Sequence, residues 1–590
     1  MSQLLIGNAA LALGAYHAGC HIVSSYPGTP STEITQFCAK HEGFYAEWAA
    51  NEKVALEVAY GAAVAGGRAL CCMKHVGLNV AADPLFTSSY TGIRAGLVIV
   101  VADDPGMHSS QNEQDSRYYA RSAQIPMLEP ADSQEAYDFI RQAFDLSEQY
   151  DTPILIRLTT RIAHGSGLVN TTEQAQSLTR NYKKDAAKYV MMPAQARGRH
   201  PIVLARVESL RHAPPELWKI DESQGKIGII TAGVDYQYVK EVAPDFPVFK
   251  VGMVYPLPLE EIRAFAAGLD RLLIIESLEP FIEETLLAAG IYCQGKCLTG
   301  NDWHDDACNG ICNGVALTPR CGELSAPLVA KALGVDFPAA PSPAAVPVRP
   351  PVLCAGCPHR AAYHVINKLK LHVAGDIGCY TLGSLAPLNA MDTCLCMGGS
   401  ASMGHGIFLA NPELAKSWIS VIGDSTFFHS GMTGLASAVY NNSQLKLVVL
   451  DNRTTGMTGH QGHPGTGERM VGERGPALDI AQIARAMQVP TVIETDPGDI
   501  KGFEAALKQC LAADGVAVLV ARAPCLMLTR ERKPAVTIDR AKCRNCGLCL
   551  KPGCPALEKT PEGPRVNASL CADCGLCAQL CPFDAISSNN

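Results

Sequence analysis

Short apolar runs alternate with longer stretches of helical periodicity along most of the chain. The runs are rich in Val, Ile and Leu, and they lack the polar alternation of a half-exposed strand. Continuous apolar strands of this kind are typical of parallel sheets that are covered by helices on both faces. The pattern therefore predicts an α/β protein with several parallel-sheet domains, with strands at 154–156, 227–230, 272–275, 419–422, 445–450 and 516–520.

Two changes in this pattern divide the chain. Six prolines fall within residues 338–351, and because prolines interrupt sheet pairing, the segment 336–351 is predicted to be an extended linker. After residue 530 the alternation of strands and helices stops, and closely spaced cysteines follow. Together with a weaker change near residues 183–199, these breaks predict domains at 1–182, 195–335, 352–530 and 531–590.

The composition narrows the classes of function. Of 590 residues, 47% are hydrophobic and 18% charged, as in ordinary globular proteins, and the net charge of −8 disfavours a nucleic acid partner. No apolar run approaches the ~20 residues that cross a bilayer, and the first 39 residues contain no Lys or Arg, unlike a secretory signal. Eight of the 24 cysteines lie in the last 50 residues, which favours metal ligation in a reducing compartment. We expect a soluble cytoplasmic protein without a membrane or nucleic acid partner.

The cysteine-rich tail repeats one spacing. Two runs of four cysteines, each ending in Cys-Pro, follow the pattern of two-cluster bacterial ferredoxins, in which three thiolates of one run and the last of the other hold each [4Fe–4S] cluster. A pair of zinc sites is the weaker alternative. Four residues precede Cys554 where three are usual, so we expect a bulged loop there. The predicted ligands are Cys543, Cys546, Cys549 and Cys581 for cluster one, and Cys571, Cys574, Cys577 and Cys554 for cluster two.

Polar residues follow two apolar strands of the 352–530 segment. Gly423-Asp424-Ser425 comes directly after one strand, and Asp451-Asn452 directly after the next. The carboxyl ends of parallel strands are where α/β sheets bind ligands, and oxygen ligands there suit a diphosphate-bound Mg²⁺. Both segments are also ordinary turn sequences, which is the alternative interpretation. The prediction of a metal site therefore depends on the neighbouring motifs.

Four segments favour the metal interpretation: Cys354-Ala-Gly-Cys-Pro-His-Arg360, Gly375-Asp-Ile-Gly-Cys379, Met397-Gly-Gly-Ser400 and Gly423-Asp-Ser-Thr-Phe-Phe-His429. Together they resemble the thiamine diphosphate-binding half of the 2-oxoacid:ferredoxin oxidoreductases. The combination with a twin-cluster tail in one chain is most similar to the family members that act on indolepyruvate, and the resemblance spans nearly the whole chain. It implies a thiamine diphosphate-binding fold, with the pyrimidine half at 1–182, the pyrophosphate half at 352–530 and a transketolase C-terminal-like domain at 195–335. The tail would be a ferredoxin-like α+β module.

The resemblance assigns roles within the pyrophosphate half. Asp424 and Asn452 would bind Mg²⁺ through their side chains, and Thr454 through its backbone oxygen. The glycines would let backbone amides approach the diphosphate closely. The predicted cofactor-binding residues are Cys354, Gly356, Cys357, Gly378, Cys379, Gly398, Gly399, Ser400, Gly423 and Ser425. For the two cysteines of the first motif, metal ligation stays open as an alternative.

The N-terminal domain carries a second set of candidates. Tyr26-Pro-Gly-Thr-Pro-Ser-Thr-Glu33 resembles the YPxTP motif of the family, in which Thr29 would face the substrate carboxylate. The same residues also fit a turn that leads into a capped helix, and both interpretations can hold. His75, His359 and His429 are unranked candidates for proton transfer, because imidazole can act as acid or base near neutral pH.

One carboxylate is predicted to touch the cofactor ring. Asn51-Glu-Lys-Val-Ala55 resembles the segment whose Glu bonds the aminopyrimidine, and Glu52 is our choice, with Glu47 and Glu57 as nearby competitors. A carboxyl at this position favours the ring tautomer whose nitrogen removes the thiazolium proton.

Five more cysteines surround His304, namely Cys293, Cys297, Cys308, Cys312 and Cys321. They could bind zinc or a third cluster, but an ordinary loop with reduced thiols is the preferred interpretation. No predicted function depends on this stretch.

The thiamine and iron–sulfur signals constrain each other. Because iron–sulfur clusters accept single electrons, they favour an oxidative over a non-oxidative decarboxylation. We predict that a 2-oxoacid and CoA give acyl-CoA and CO₂, with the electrons passing to ferredoxin. The resemblance implies aryl substrates, indolepyruvate first and phenylpyruvate-like acids next. It also implies a separate beta subunit with the gamma-type domain, in an alpha2beta2 heterotetramer. The alternatives are a thiamine-dependent decarboxylase or carboligase, and an electron-transfer subunit with a vestigial thiamine site.

Overall fold

The computed structural model describes residues 2–172, 180–212, 215–296, 317–338, 347, 350–528 and 534–588. The chain forms two compact units, Met1–Ala344 and Ala345–Asn590. Most of the predicted linker and the candidate residues Cys297, His304, Cys308 and Cys312 lie outside the described residues. Of that cysteine-rich stretch, Cys293 is buried and Cys321 is partly exposed. The proposed domain boundaries stay predictions.

The strands of the first unit are β1 Ser2–Ile6, β2 Ile22–Ser25, β3 Tyr45–Trp48, β4 Ala69–Lys74, β5 Leu97–Asp103, β6 Met127–Leu128, β7 Ile154–Thr159, β8 Ser166–Asn170, β9 Trp218–Asp221, β10 Ile227–Ala232, β11 Val248–Val251, β12 Met253–Tyr255 and β13 Arg271–Ile275. A seven-stranded sheet has the order β12-β6-β7-β5-β4-β2-β3 and is parallel except for β12. A four-stranded sheet has the order β13-β10-β11-β9, with β9 antiparallel, and β1 pairs with β8.

The helices of the first unit are α1 Gly7–His17, α2 Thr32–Cys38, α3 Glu52–Ala65, α4 His75–Val80, α5 Ala82–Thr91, α6 Arg117–Ala123, α7 Ser133–Tyr150, α8 Thr160–His164, α9 Ala186–Tyr189, α10 Pro193–Arg211, α11 Asp235–Val242, α12 Leu259–Ala266, α13 Phe281–Ala288 and α14 Ala326–Leu333. Local sequence fixes several ends. Asn51 caps α3 by accepting from Val54 N, and Gly66, at φ 103°, ends that helix in the left-handed conformation.

The second unit contains a six-stranded sheet of β14 His372–Gly375, β15 Thr393–Cys394, β16 Trp418–Gly423, β17 Lys446–Asp451, β18 Thr491–Thr495 and β19 Ala517–Arg522. The order is β15-β14-β16-β17-β19-β18, and all pairs are parallel. Alternate residues of β17 enter different cores: Val448 and Leu450 on one face, Leu447 and Val449 on the other. The helices are α15 His359–Lys368, α16 Gly399–Ala410, α17 Pro412–Ala415, α18 Asp424–Thr426, α19 Met432–Tyr440, α20 Ile480–Ala486, α21 Ile500–Ala512 and, in the cysteine-rich tail, α22 Leu576–Gln579.

The tail forms a small module with two antiparallel pairs of strands. Strand β20 Thr537–Ile538 pairs with β23 Ile586–Ser587, and β21 Leu557–Thr560 pairs with β22 Gly563–Val566. Leu576 of α22 packs in the core of the six-stranded sheet. Four of the six apolar runs predicted as strands lie wholly within strands, and the runs 445–450 and 516–520 begin one residue before β17 and β19. The predicted fold class is confirmed. Within the described ranges, none of the helices combines the length and apolarity of a membrane span.

Candidate active site

Three loops meet the carboxyl edge of the six-stranded sheet at adjacent strands. Asp376 follows β14, Asp424 follows β16 and Asn452 follows β17, and the hydrogen-bonded order of these strands makes the three loops neighbours. Such an edge collects the loops of a parallel sheet at one place, which is why ligands bind there. The structure thus brings together the two side chains predicted to bind Mg²⁺.

Asp424 is buried and held by three donors. Its carboxylate accepts hydrogen bonds from Ser425 N at 2.9 Å, Arg453 N at 2.7 Å and His463 Nε2 at 3.1 Å. Gly465 N donates to Nδ1 of His463, so the ring proton lies on Nε2. Burial alone would raise the pKa of Asp424, but the hydrogen bond from His463 and the other donors lower it. The carboxylate is therefore ionised and oriented, as a hard cation requires.

Asn452 and Thr454 lie beside this carboxylate in a loop that continues β17. Both are buried, and Thr454 N donates to Asn452 Oδ1 at 3.3 Å. The neighbouring Asp451 has its pKa raised by burial and by the nearby Asp424. A buried concentration of acidic and amide oxygens fits a divalent cation, so the donor set agrees with the predicted magnesium site.

Glycines line the same edge for steric reasons. A Cβ at Gly378 or Gly423 would lie 2.4 or 2.6 Å from Cε1 of Tyr380, so neither position accepts a larger residue without movement of that buried ring. Gly398 has φ 81°, and its amide donates to Asp376 Oδ1 at 2.8 Å. The packing of Tyr380 and the hydrogen bond to Asp376 therefore fix the conformation of these loops.

Asp376 organises the loop that leads into α16. It accepts from Gly398 N on one oxygen and from Ser400 N, at 3.0 Å, on the other. Burial raises the pKa of Asp376 to about 6. Gly399 begins α16, and the buried Ser400 follows it. Asp376 lies in one of the sequence motifs but was not predicted as a site residue. Its carboxylate orients the backbone of the glycine-rich loop.

The predicted histidines of this unit occupy different places. His359 Nε2 lies 3.4 Å from Asn452 Nδ2, and burial lowers the pKa of His359 to about 4, so its ring is neutral at pH 7. His429 is buried in the turn after α18, with Nδ1 2.6 Å from Ser430 Oγ, and Ser430 in turn donates to Met397 O beside the glycine-rich loop.

Four thiols of the second unit lie near one another in the region of Asn452, namely Cys354, Cys357, Cys379 and Cys525. Burial raises the pKa of Cys379 to about 11, and Cys525 and Cys354 add to the effect. Burial likewise raises the pKa of Cys357 to about 12, with contributions from Cys354 and Cys379. Cys525 N donates to Asn452 O at 2.9 Å. Cys525, in the loop after β19, was not predicted from the sequence because it lies far along the chain from the other three cysteines.

Each predicted quartet of the tail surrounds its own cavity. One cavity is lined by Cys554, Cys571, Cys574 and Cys577, and Cys549 also lines it. The other is lined by Cys543, Cys546, Cys549 and Cys581. Four thiols around each cavity fit the ligand set of an iron–sulfur cluster.

Glu52 occupies a defined position in the first unit. It is the first residue of α3, is 5% exposed, and packs against Gly77 of α4. A Cβ at Gly77 would lie only 2.5 Å from Glu52 Oε1. Gly77 leaves room for the side chain of Glu52 at this position. Glu47 instead lies in β3, where it accepts from Ser24 Oγ and Tyr45 OH, and Glu57 pairs with Lys53 on the exposed face of α3.

Thr29 lies in the loop after β2, which a buried lysine supports. Lys74 packs its stem against Gly28, and its Nζ donates to Ser109 O at 2.7 Å. Ser109 Oγ donates to Thr29 O at 3.4 Å. Burial lowers the pKa of Lys74 to about 8, although the nearby Asp104 opposes that change.

The third predicted histidine, His75, begins α4. It is buried, and its Nε2 lies 3.2 Å from Asn112 O. Its Nδ1 has no hydrogen-bond partner in the part of the chain that the structure describes.

Family models match three parts of the chain. Residues 13–211 match the thiamine diphosphate-binding domain of pyruvate flavodoxin/ferredoxin oxidoreductases. Residues 376–521 match the C-terminal TPP-binding domain of thiamine pyrophosphate enzymes, and residues 564–587 match a 4Fe-4S binding domain. The chain is therefore an oxidoreductase of the thiamine diphosphate class with an attached iron–sulfur module.

Full-length relatives give the family. Indolepyruvate oxidoreductase subunit IorA of Pyrococcus horikoshii is 41% identical over 99% of this chain and 96% of the relative. The same subunit of Archaeoglobus fulgidus is 39% identical over 99% of this chain and 97% of the relative. This chain belongs to the family of IorA subunits of indolepyruvate oxidoreductase.

Among solved structures, the 2-oxoglutarate:ferredoxin oxidoreductase of Magnetococcus marinus, solved with 2-oxoglutarate, coenzyme A and succinyl-CoA bound, aligns over 49% of this chain and 60% of its own chain, with 17% identity and a TM-score of 0.43.

Proposed function

We propose that this protein catalyses the oxidative decarboxylation of aryl 2-oxoacids, with indolepyruvate as the preferred substrate, followed by phenylpyruvate-like acids. The products are the aryl-acetyl-CoA and CO₂. The balance is one 2-oxoacid and one CoA thiol to one thioester, one CO₂, one proton and two electrons, which pass singly to ferredoxin. One observation supports the proposal most directly. Within one compact unit, thiol groups lie both beside Asn452 and around the two cavities of the tail.

The second unit supplies the proposed diphosphate site. Asp424 and Asn452 bind Mg²⁺ through their side chains and Thr454 through its backbone oxygen, and the glycine-rich loops lie against the diphosphate. Support comes from the burial of all three residues and from the donors that fix the Asp424 carboxylate. Ser425 contributes to the same wall, where its hydroxyl accepts from Thr455 Oγ1 at 2.8 Å.

The first unit supplies the proposed contact with the aminopyrimidine. Thiamine diphosphate, when bound, provides the carbon nucleophile and the electron sink of the reaction. Glu52 holds a proton at the aminopyrimidine ring, and Thr29 faces the substrate carboxylate. The burial of Glu52 beside Gly77 supports its role. His75, His359 and His429 stay candidates for proton transfer, and the neutral ring of His359 suits a base better than an acid at pH 7.

The thiols supply the proposed electron path. Each quartet of the tail binds one [4Fe–4S] cluster, and Cys354, Cys357, Cys379 and Cys525 bind a third, next to the magnesium site. The mutual proximity of these four thiols and the hydrogen bond from Cys525 N to Asn452 O support this assignment. For the two cysteines of the first motif, this assignment favours metal ligation over thiamine diphosphate binding.

The enzyme is proposed to work as a complex. The relatives are named as subunits, which supports a separate partner subunit. In the proposed complex, this beta subunit carries the gamma-type domain, the assembly is an alpha2beta2 heterotetramer in the cytoplasm, and ferredoxin is the electron acceptor.

An anaerobic dye-reduction assay tests the proposed function. The complex is given indolepyruvate, phenylpyruvate, a branched 2-oxoacid and pyruvate, each with and without CoA, and both viologen reduction and CO₂ are measured. We expect reduction that depends on CoA and is fastest with indolepyruvate. CO₂ release without dye reduction would instead identify a decarboxylase or carboligase. Purified protein that retains clusters but no thiamine diphosphate would identify an electron-transfer subunit.

A further inference from the structure

Arg360 joins the first cysteine motif to the cysteine-rich tail. Its Nε donates to Cys354 O at 2.9 Å and its Nη2 to Leu353 O, both in the segment of the first motif. Its Nη1 donates to Pro552 O at 2.9 Å and to Gly553 O at 2.7 Å, in the loop directly before Cys554. One guanidinium therefore fixes two loops that each carry cluster ligands.

The loop before Cys554 is the one that departs from the usual ferredoxin spacing. Four residues separate Cys549 from Cys554, and Pro552 and Gly553 are two of them. Gly553 has φ 66°, and a Cβ there would lie 2.5 Å from Pro387 Cδ and 3.5 Å from Arg360 Nη1. The longer spacing therefore coincides with a structural feature, because this loop presents the carbonyl groups of Pro552 and Gly553 to Arg360.

Arg360 is buried without a carboxylate partner among the residues that the structure describes. It is 3% exposed, and its hydrogen bonds go to backbone carbonyl groups. A buried cation without a counter-charge is costly, so a negative group is expected beside it. The nearby ionisable groups are thiols, Cys554 foremost, followed by Cys357, Cys354 and Cys574. Arg360 also lines the cavity of Cys554, Cys571, Cys574 and Cys577.

We propose that Arg360 is the counter-charge of the second cluster, and that it raises the reduction potential of that cluster so that electrons from the thiamine site enter the tail there. A cluster held by four thiolates is anionic and becomes more so on reduction, and a fixed cation stabilises the reduced form. The cluster of Cys543, Cys546, Cys549 and Cys581 is then the exit to ferredoxin. This inference rests on the proposed function, because it requires clusters at both cavities.

The test is an EPR-monitored redox titration of the holoenzyme, poised with dithionite. The variants are Arg360→Gln, which keeps hydrogen-bond donors but no charge, and Arg360→Lys, which keeps the charge. Arg565→Met is the matched control, because Arg565 lies on the same module but pairs with Glu558 in solvent. The signal of the second cluster is identified by its loss in Cys571→Ser. Iron content is measured for every protein.

We expect Arg360→Gln to lower the potential of the second cluster by at least 59 mV, a tenfold change in its one-electron equilibrium. The potential of the first cluster should stay unchanged, and both Arg360→Lys and Arg565→Met should stay near the wild-type values. Unshifted potentials in Arg360→Gln, at full iron content, would overturn the proposal, and so would equal shifts in Arg360→Gln and Arg565→Met. If Arg360→Gln loses the second cluster, Arg360→Met is titrated instead, with the same expected shift. Loss of the cluster in both variants would also overturn the proposal, since Arg360 would then be needed for cluster assembly.

The titration does not depend on turnover. A wild-type complex whose clusters are reduced by dithionite but not by 2-oxoacid and CoA would reject the proposed function, while the potentials would still decide the role of Arg360.

Discussion

Gly77 lies in α4 beside the carboxylate of Glu52, and it offers a way to move that carboxylate without changing it. In Gly77→Ala the new Cβ would stand 2.5 Å from Glu52 Oε1, 2.6 Å from Cγ and 2.8 Å from Cδ. Ordinary contact begins near 3.4 Å, so the side chain of Glu52 must withdraw by about 0.9 Å. The proposed hydrogen bond from the carboxyl to the cofactor ring would not keep good geometry after such a shift.

The expected loss follows from the energy of that bond. A hydrogen bond to a charged group contributes about 1.5–3 kcal/mol, which corresponds to a roughly 10- to 150-fold lower rate if it is needed in the transition state. Overpacking should also lower the free energy of unfolding by about 1–3 kcal/mol. Magnesium binding and iron content should not change, because the ligands proposed for these groups lie in the other unit.

The assay is anaerobic viologen reduction with indolepyruvate and CoA, together with thermal unfolding. Gly61→Ala is the matched control, since Gly61 is exposed in α3 and nothing lies within 4 Å of its Cβ position. It should keep full activity and gain about 0.5–1 kcal/mol of stability. Activity of folded Gly77→Ala within twofold of wild type would refute the role of Glu52. In a Glu52→Gln background, Gly77→Ala should cost no further activity.

Three further outcomes are expected. Removing the donor that orients Asp424, in His463→Ala, should weaken magnesium-dependent binding of thiamine diphosphate by about 10- to 100-fold in a calorimetric titration, and unchanged affinity would contradict the proposed metal site. Cys525→Ser should lower the iron content from about twelve to about eight per chain, while Cys321→Ser should keep all of it. Burial raises the pKa of Asp235 from 3.8 to about 6, so its contribution to stability is present below pH 4 and is lost as the pH rises from about 4 to 6. Asp235→Asn should therefore gain up to about 3 kcal/mol relative to wild type between pH 4 and pH 7, and parallel stability curves would contradict this.

Several parts of the fold and site could be predicted because they depend on neighbours along the chain. The apolar runs predict strands because both faces of the sheet are buried, as in β17. The Cys-x2-Cys-x2-Cys spacing predicts cluster ligands because one short run supplies three of the four thiolates of a cluster. Asp424 and Asn452 were predicted together because each directly follows a strand, and adjacent parallel strands end at one edge.

The residues that were missed act across long separations in the chain. His463 reaches Asp424 from a loop with no regular pattern of its own, and Cys525 joins Cys354 and Cys379 only because β19 lies in the same sheet. The hydrophobic pattern fixes which strands are buried but not which loops face each other, since strand order depends on packing of the whole sheet.

By itself, the amino-acid sequence determined the α/β class, the iron–sulfur spacing and the family to which the chain belongs, because each of these is written in local periodicity or short motifs. Only the tertiary structure decided that Gly77 makes room for Glu52, that four distant thiols meet beside Asn452, and that Arg360 spans two cysteine loops. The physical reason is that contact, burial and charge pairing depend on distances in space, and residues such as Arg360 and Gly553, 193 positions apart, carry no sign of their contact in the sequence.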